Sequence, residues 1–174
     1  MPDPRRTHGD RARLLTSVSE YCLLLRKDLR QPLAPVQWPE GIRLTPLNDE
    51  LLPRVHALLE QGYASGHGSV ESLLDWQHAL LHDAEYDPQL CFVSLFNDEV
   101  AGVAQAWTSA YLKDLVVHPR LRGRGVGGAL LSHVFSVFKQ RGEPSVDLKV
   151  MEHNHPARRL YLRHGMQVIR REAL

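Results

Sequence analysis

The sequence predicts one mixed α/β domain, α+β in detail, with a central twisted sheet of about six to seven strands and about four flanking helices. Three observations predict it. At 174 residues the chain is the size of a single domain and long enough to bury a core. Hydrophobic residues make up 43% and charged residues 24%, close to globular averages. Short apolar runs of strand length alternate with segments whose apolar residues recur at helical spacing: strand, two helices, three strands, helix, strand, helix, strand.

Residues 1–40 read as an N-terminal arm and residues 41–174 as the domain proper. Residues 1–13 are polar and rich in arginine. Residues 14–29 are ambiguous: Leu14, Val18, Tyr21 or Cys22, Leu25 and Leu29 fit a helical stripe, while Tyr21 to Leu25 also fits a buried strand. Pro32, Pro35 and Pro39 mark an extended connector. Gly41 to Thr45 reads as a short strand ended by Pro46. Asn48 or Asp49 is placed to cap a helix carrying Leu51, Leu52, Val55, Leu58 and Leu59 on one face. Gly62 to Gly68, with three glycines, reads as a loop. Ser69 is placed to cap a second helix with Val70, Leu73, Leu74, Leu80 and Leu81 inward.

Strands follow at Leu90 to Phe96, Val100 to Thr108 and Tyr111 to Val117, the first two joined by a turn at residues 97–99. A glycine-rich turn then leads into a helix with Val126, Leu130, Leu131, Val134 and Phe138 at helical spacing, stopped by Gly142 and Pro144. Ser145 to Met151 reads as a strand and His155 to Arg163 as a short helix ending at Gly165. Met166 to Arg171 closes the series.

Composition narrows the function. No apolar run approaches the roughly 20 residues that cross a bilayer. The N-terminus leads into a polar stretch, unlike a signal core. Cys22 and Cys91 lie in apolar runs without metal-ligand spacing, as buried free thiols of a reducing cytoplasm do. The net charge of +1 hides a division: residues 1–40 carry +2, residues 41–114 carry −8 and residues 115–174 carry +7. One part is built to face cations and another to face anions.

The segment Leu115 to Ala129 carries the most chemistry. A strand ends at His118-Pro119, the chain turns on Gly123, Gly125, Gly127 and Gly128, and a helix begins. Glycines expose backbone N–H groups with no Cβ in the way, and the helix start adds unpaired donors and a positive dipole end. Together these form a phosphate site, and Arg120, Arg122 and Arg124 add charge. A plain glycine turn with solvated arginines is the alternative. The spacing is wrong for a dinucleotide fingerprint, and no Gly-Lys-Ser/Thr follows for a P-loop.

Arg122-Gly123-Arg124-Gly125-Val126-Gly127 resembles the R/Q-x-x-G-x-G/A motif of the GNAT superfamily of acyl-CoA-dependent N-acetyltransferases. Asp114 to Pro119 resembles that family's fourth strand and the stop after it. Asn154, Ala157 and Tyr161 match its N-x-x-A-x-x-x-Y pattern, and Leu160 to Met166 resembles the end of its last helix. The detailed match covers residues 111–167.

The resemblance implies the GNAT fold, splayed between its fourth and fifth strands, with acetyl-CoA as co-substrate in the V. It assigns the pyrophosphate to backbone N–H groups of Gly123, Arg124, Gly125, Val126, Gly127 and Gly128, with Arg122 beside them. The pantetheine arm pairs with Leu115, Val116 and Val117, and Asn154 and Ala157 meet it from the other side. Asn154 also suits a helix N-cap. Tyr161 matches the family's general acid, which protonates the leaving thiolate; packing is its plainer role.

Some members carry a glutamate in the fifth strand, at the position of Lys149 here. The base is therefore open among Asp114, Glu152, Glu60, His67 and a water chain. The first two helices wall the family's acceptor site, which assigns Glu60, Tyr63, His67 and Trp76 to the acceptor. The acidic residues there, with Tyr63, Trp76 and Tyr86, favour a cationic amine, small or peptidic.

The implied activity is direct acetyl transfer to a primary amine; the alternative is a module that holds acyl-CoA without turnover. Ten histidines include His78 and His82 at i,i+4, but no third ligand stands at metal spacing. The basic C-terminal third lacks the aromatic interleaving of a nucleic-acid surface. Dimers are common in the family, so a homodimer is compatible. The family usually has one more strand after the last helix than nine residues allow. That leaves an open edge, which proteins normally cover, and residues near 20–26 are expected to form an extra strand in the sheet, within the subunit or across a dimer.

Overall fold

The computed structural model describes residues 20–64 and 68–174. Its strands are β1 (Tyr21–Asp28), β2 (Ile42–Pro46), β3 (Cys91–Phe96), β4 (Glu99–Trp107), β5 (Tyr111–Val117), β6 (Ser145–Met151) and β7 (Gln167–Ala173). Its helices are α1 (Leu52–Tyr63), α2 (Leu73–His82), α3 (Val126–Gln140) and α4 (His155–Arg163). All seven strands form one sheet in the order β2-β3-β4-β5-β6-β1-β7. Among the described residues no helix is long and apolar enough to cross a membrane.

Each face of the sheet has its own core. On one face Leu23, Leu25, Leu112, Val146 and Leu148 pack under Val126, Leu130, Leu131, Val134 and Phe138 of α3 and Tyr161 of α4. The α3 set recurs at three- and four-residue intervals, which places it on one helical stripe. On the other face Val93, Val103, Leu95 and Cys91 pack under Val55, Leu58 and Leu59 of α1 and Trp76 and Leu80 of α2. Cys22 and Cys91 are both buried free thiols.

The register between β5 and β6 matters most for function. Their parallel ladder holds Tyr111 opposite Asp147, with the Asp147 N–H on the Ala110 carbonyl at 3.0 Å. No further pair forms among the described residues, so the two strands diverge from Leu112 onward and leave one side of β5 unpaired.

The extra strand expected near residues 20–26 is present within the subunit as β1, but it lies inside the sheet and not at its edge. It runs antiparallel between β6 and β7, with Leu25 opposite Leu148 and Tyr21 opposite Ala173. The sheet edge is β7 itself. Residues 14–19 of the ambiguous stretch lie outside the described residues; Tyr21 onward is strand, because Leu23 and Leu25 reach the α3 core by period-two alternation.

Other local readings are corrected. α1 continues through Gly62 to Tyr63, so the loop starts later than its first glycine. A Cβ at position 62 would stand 2.6 Å from Val116 Cγ1, so this glycine serves close packing of helix on strand. The N-cap of α1 is Leu51, without a side-chain bond; Asn48 Oδ1 instead accepts the Leu51 N–H one turn earlier. Ser72, not Ser69, caps α2 by accepting the Asp75 N–H. Leu74 and Leu81 are exposed at 78% and 48%, because the face of α2 that packs on the core carries Trp76 and Leu80, four residues apart. β4 begins at Glu99, and β7 extends to Ala173.

Candidate active site

The glycine turn between β5 and α3 has the conformation a backbone anion cradle needs. Gly123 and Gly125 have φ of 74° and 88°, the left-handed region that costs glycine little. A Cβ at Gly123 would meet nothing within 4 Å, so the turn is open on that side. The first α3 donor bound within the turn is Ala129, to the Gly125 carbonyl at 3.0 Å. The amides before it are the free donors of a helix start. Arg120, Arg122 and Arg124 are exposed around this turn. Val126 contributes only its amide, since its side chain is in the core.

Leu115 and Val117 pack their side chains toward α3 and Val116 toward α1, while the β5 backbone beside them faces the splay. Across the opening, Asn154 caps α4: its Oδ1 accepts the Ala157 N–H at 3.4 Å, the structural role the sequence allowed. Arg158 donates to the Glu152 carbonyl, and Arg159 is exposed. Open glycine amides, nearby guanidinium groups and an unpaired strand edge suit a molecule with a pyrophosphate and an amide-bearing arm.

On the other face of β5 lies a cavity of about 330 Å³. Leu59, Tyr63, Val70, Trp76, Ala79 and Leu80 form its walls, with Glu71, Asp83, Lys113 and Asp114 as its charged groups. Asp114 is 7% exposed. Its Oδ1 accepts a short hydrogen bond from the Tyr63 hydroxyl. Burial pushes the Asp114 carboxyl above its usual range, against the pull of the Tyr63 bond and the Lys113 charge. Burial, then the Asp114 charge, raises the Tyr63 phenol.

Tyr161 sits nearby at the base of α4 and is 8% exposed. Burial, followed by the Asp114 and Tyr111 charges, pushes its phenol up to about 12. It therefore stays protonated at neutral pH and keeps an O–H to donate.

The other sequence candidates stand elsewhere. Glu152, just after β6, is held by Arg171 through two hydrogen bonds at 2.7 and 2.8 Å, with a carboxyl below its usual range through that bond. Glu60 is largely exposed and 3.8 Å from His56 Nδ1. His67 lies outside the described residues. Lys149 pairs with Glu172 at 2.9 Å. His78 and His82 do stack, with centroids 4.1 Å apart.

Two features escaped sequence reasoning. One is the Tyr63–Asp114 bond. The other is Gln105 on β4, 2% exposed and cross-strand partner of both Cys91 and Asp114, with an Nε2 that has no hydrogen-bond partner. The signal for both was a polar residue inside an apolar strand: Gln105 in Val103 to Trp107 and Asp114 in Leu112 to Val117.

Residues 52–166 match the family described as Acetyltransferase (GNAT) family. The chain belongs to the GNAT family. GNAT proteins use acetyl-CoA as co-substrate. A curated relative, an acetyltransferase of Pectobacterium atrosepticum, is 38% identical over 74 residues, 40% of this chain and 51% of the relative. The chain thus spans about half the length of that relative.

Among solved structures, a GCN5-related N-acetyltransferase from Sphaerobacter thermophilus superposes with a TM-score of 0.73 at 26% identity. The superposition covers 89% of this chain and 50% of that one. An aminoglycoside acetyltransferase from an uncultured soil metagenomic sample, solved with sisomicin, has a TM-score of 0.57 at 17% identity, over 72% of this chain and 88% of that one. At that identity the likeness speaks for the GNAT fold alone.

Proposed function

We propose that this chain transfers the acetyl group of acetyl-CoA directly to a primary amine of a cationic acceptor. The observation that carries the reading is the buried Asp114, held by Tyr63 in a cavity against β5, the strand that diverges from β6. Acetyl-CoA supplies an activated thioester carbonyl.

The residues divide the work as follows. The amides of Gly123 to Gly128 and the exposed Arg122 and Arg124 hold the anionic end. The free backbone of Leu115 to Val117 aligns the arm and offers N–H groups to the developing oxyanion. Asp114 takes a proton from the incoming ammonium, since only the neutral amine attacks. Its raised affinity for protons suits a base better than an ordinary exposed carboxylate would. Tyr161 donates to the departing thiolate, whose conjugate acid has a pKa of about 8.5. A phenol held near 12 gives a hydrogen bond before it gives a proton.

The acidic stretch containing α1 and α2 favours positively charged acceptors through its field. A thiol-release screen of acetyl-CoA against polyamines, aminoglycosides, amino acids and peptide N-termini tests the proposal. Amine-dependent release is the expected result. Tight acetyl-CoA binding with no release on any amine would instead support a non-catalytic binding module.

A further inference from the structure

The outward face of α2 carries chemistry that acetyl transfer leaves unused. At 3.6 residues per turn, Leu81, Leu74, His78 and His82 fall within about 100° of one another. They lie opposite Trp76 and Leu80, which pack on the core. All four are exposed, and α2 carries no lysine or arginine.

His78 and His82 are one helical turn apart, the spacing at which two imidazoles share a metal ion. Their rings stack at 20° between planes. His82 Nδ1 lies 2.8 Å from the His78 carbonyl oxygen. A carbonyl oxygen only accepts, so Nδ1 carries the hydrogen and the neutral ring keeps its lone pair on Nε2. A ring N–H given to a backbone carbonyl is also how metal-ligating histidines are oriented. The exposed His78 ring has no hydrogen-bond partner among the described residues, so it can turn toward the same ion.

Two imidazoles are half of the four ligands that close a tetrahedral zinc site. Among the described residues no three histidine, cysteine, aspartate or glutamate side chains come together to hold a metal. A second copy in two-fold symmetry supplies the missing pair from the same face, because such an interface meets itself.

Area and charge point to the same occupant. A ten-residue helix presents a face about 15 Å long and 10 Å wide, far below the roughly 800 Å² per partner of a standard interface. Leu74 and Leu81 therefore give too little apolar contact to hold two copies alone. Asp75 on α2 and Asp83 just after it add like charge as the copies approach. A dication between them offsets that repulsion.

We infer that two copies of this chain join face to face through α2 around one zinc ion, held by His78 and His82 of each. Trp76, Ala79 and Leu80 of the same helix wall the cavity that holds Asp114. The ion thus sits behind that wall and takes no part in acetyl transfer.

The test uses the full chain without an affinity tag, stripped of metal by a chelator. Sedimentation velocity and calorimetry then follow the addition of zinc ion. The expected result is a metal-free monomer that becomes a dimer with one zinc per two chains, reversed by chelator. Cobalt(II) in place of zinc is expected to give the intense visible absorption of a tetrahedral site. His78→Ala and His82→Ala should each lose both the zinc-driven dimer and the cobalt absorption. Thermal melts should show the fold retained, since both side chains are exposed. Leu74→Ser, which removes apolar contact and no ligand, should weaken the dimer at the same zinc concentration. A dimer that persists in chelator overturns the inference. So does zinc bound one per chain without a change in mass, or zinc-driven association that survives replacement of both histidines.

Discussion

The Tyr63 hydroxyl, at the last turn of α1, donates to the Asp114 carboxylate in the middle of β5, joining residues 51 positions apart in the chain. The bond ties the acceptor-side helix to the strand that carries the proposed base. It also opposes the effect of burial, since it favours the charged carboxylate.

Tyr63→Phe should therefore raise the Asp114 pKa further. A hydrogen bond to a charged group contributes about 1.5–3 kcal/mol, and one pKa unit is 1.36 kcal/mol. The acid limb of kcat/KM should move to higher pH by about 1–2 units. A pH–rate profile of the variant checks this; an unmoved limb would separate Tyr63 from the base.

Asp114→Asn should lower kcat by roughly 10²–10⁴, the range for a lost acid–base group, without lowering stability at neutral pH. The sign follows from linkage. The folded protein binds this proton more tightly than the unfolded chain does. The contribution of Asp114 is thus fully present below the unfolded pKa of about 3.9 and lost as pH rises through the folded one. At pH 7.5 the variant is spared a buried charge, so its Tm should equal or exceed that of the wild type. The difference should close near pH 4, which thermal melts at the two pH values can measure.

Gly125→Asp and Gly125→Asn form a matched pair. Both side chains tolerate the left-handed conformation that Gly125 holds at φ 88°. Only Asp puts a negative charge at the anion cradle. Calorimetry should find acetyl-CoA binding abolished in the Asp variant and retained, though weakened, in the folded Asn variant.

Tyr161→Phe should reduce kcat by roughly 10²–10⁴ with little change in acetyl-CoA affinity. With the phenol near 12, the wild-type rate should show no alkaline fall from this residue below about pH 11. Full turnover in the variant would return Tyr161 to a packing role.

Gln105→Met should stabilise the fold. The Gln105 Nε2 is buried without a hydrogen-bond partner, and such a group costs about 1–3 kcal/mol. Denaturant titration should show a higher midpoint. Any parallel loss of activity would mean that the amide meets a substrate group beside Asp114.

Most elements were legible because local pattern and tertiary need agree in them. The α3 stripe buries what its spacing says it buries, and the glycine turn and the β5 strand stand where their residues place them. The α1–α2 region was misread at its caps and inner face, because Ser69 and Ser72 are equally good caps by type. Asp75, three residues after Ser72 and bonded to it, chooses between them. Glycine misled at position 62, where it allows Val116 to approach rather than breaking the helix. The Tyr63–Asp114 bond was invisible because it joins two elements whose relative placement no local pattern encodes.

The position of β1 bears on how this protein is made. Arg26 and Asp147, joined by two bonds of 2.7 Å across β1 and β6, stand 121 positions apart. At the usual 5–20 residues per second, a ribosome needs roughly 6–24 s to deliver the second after the first. For that time β1 is an apolar strand with neither of its neighbours. β7, its other partner, arrives later still, and the Leu174 N–H then closes on the Glu20 carbonyl at 2.9 Å. Translation thus exposes an apolar strand well before either of its partners exists, a natural client for a chaperone waiting at the tunnel exit.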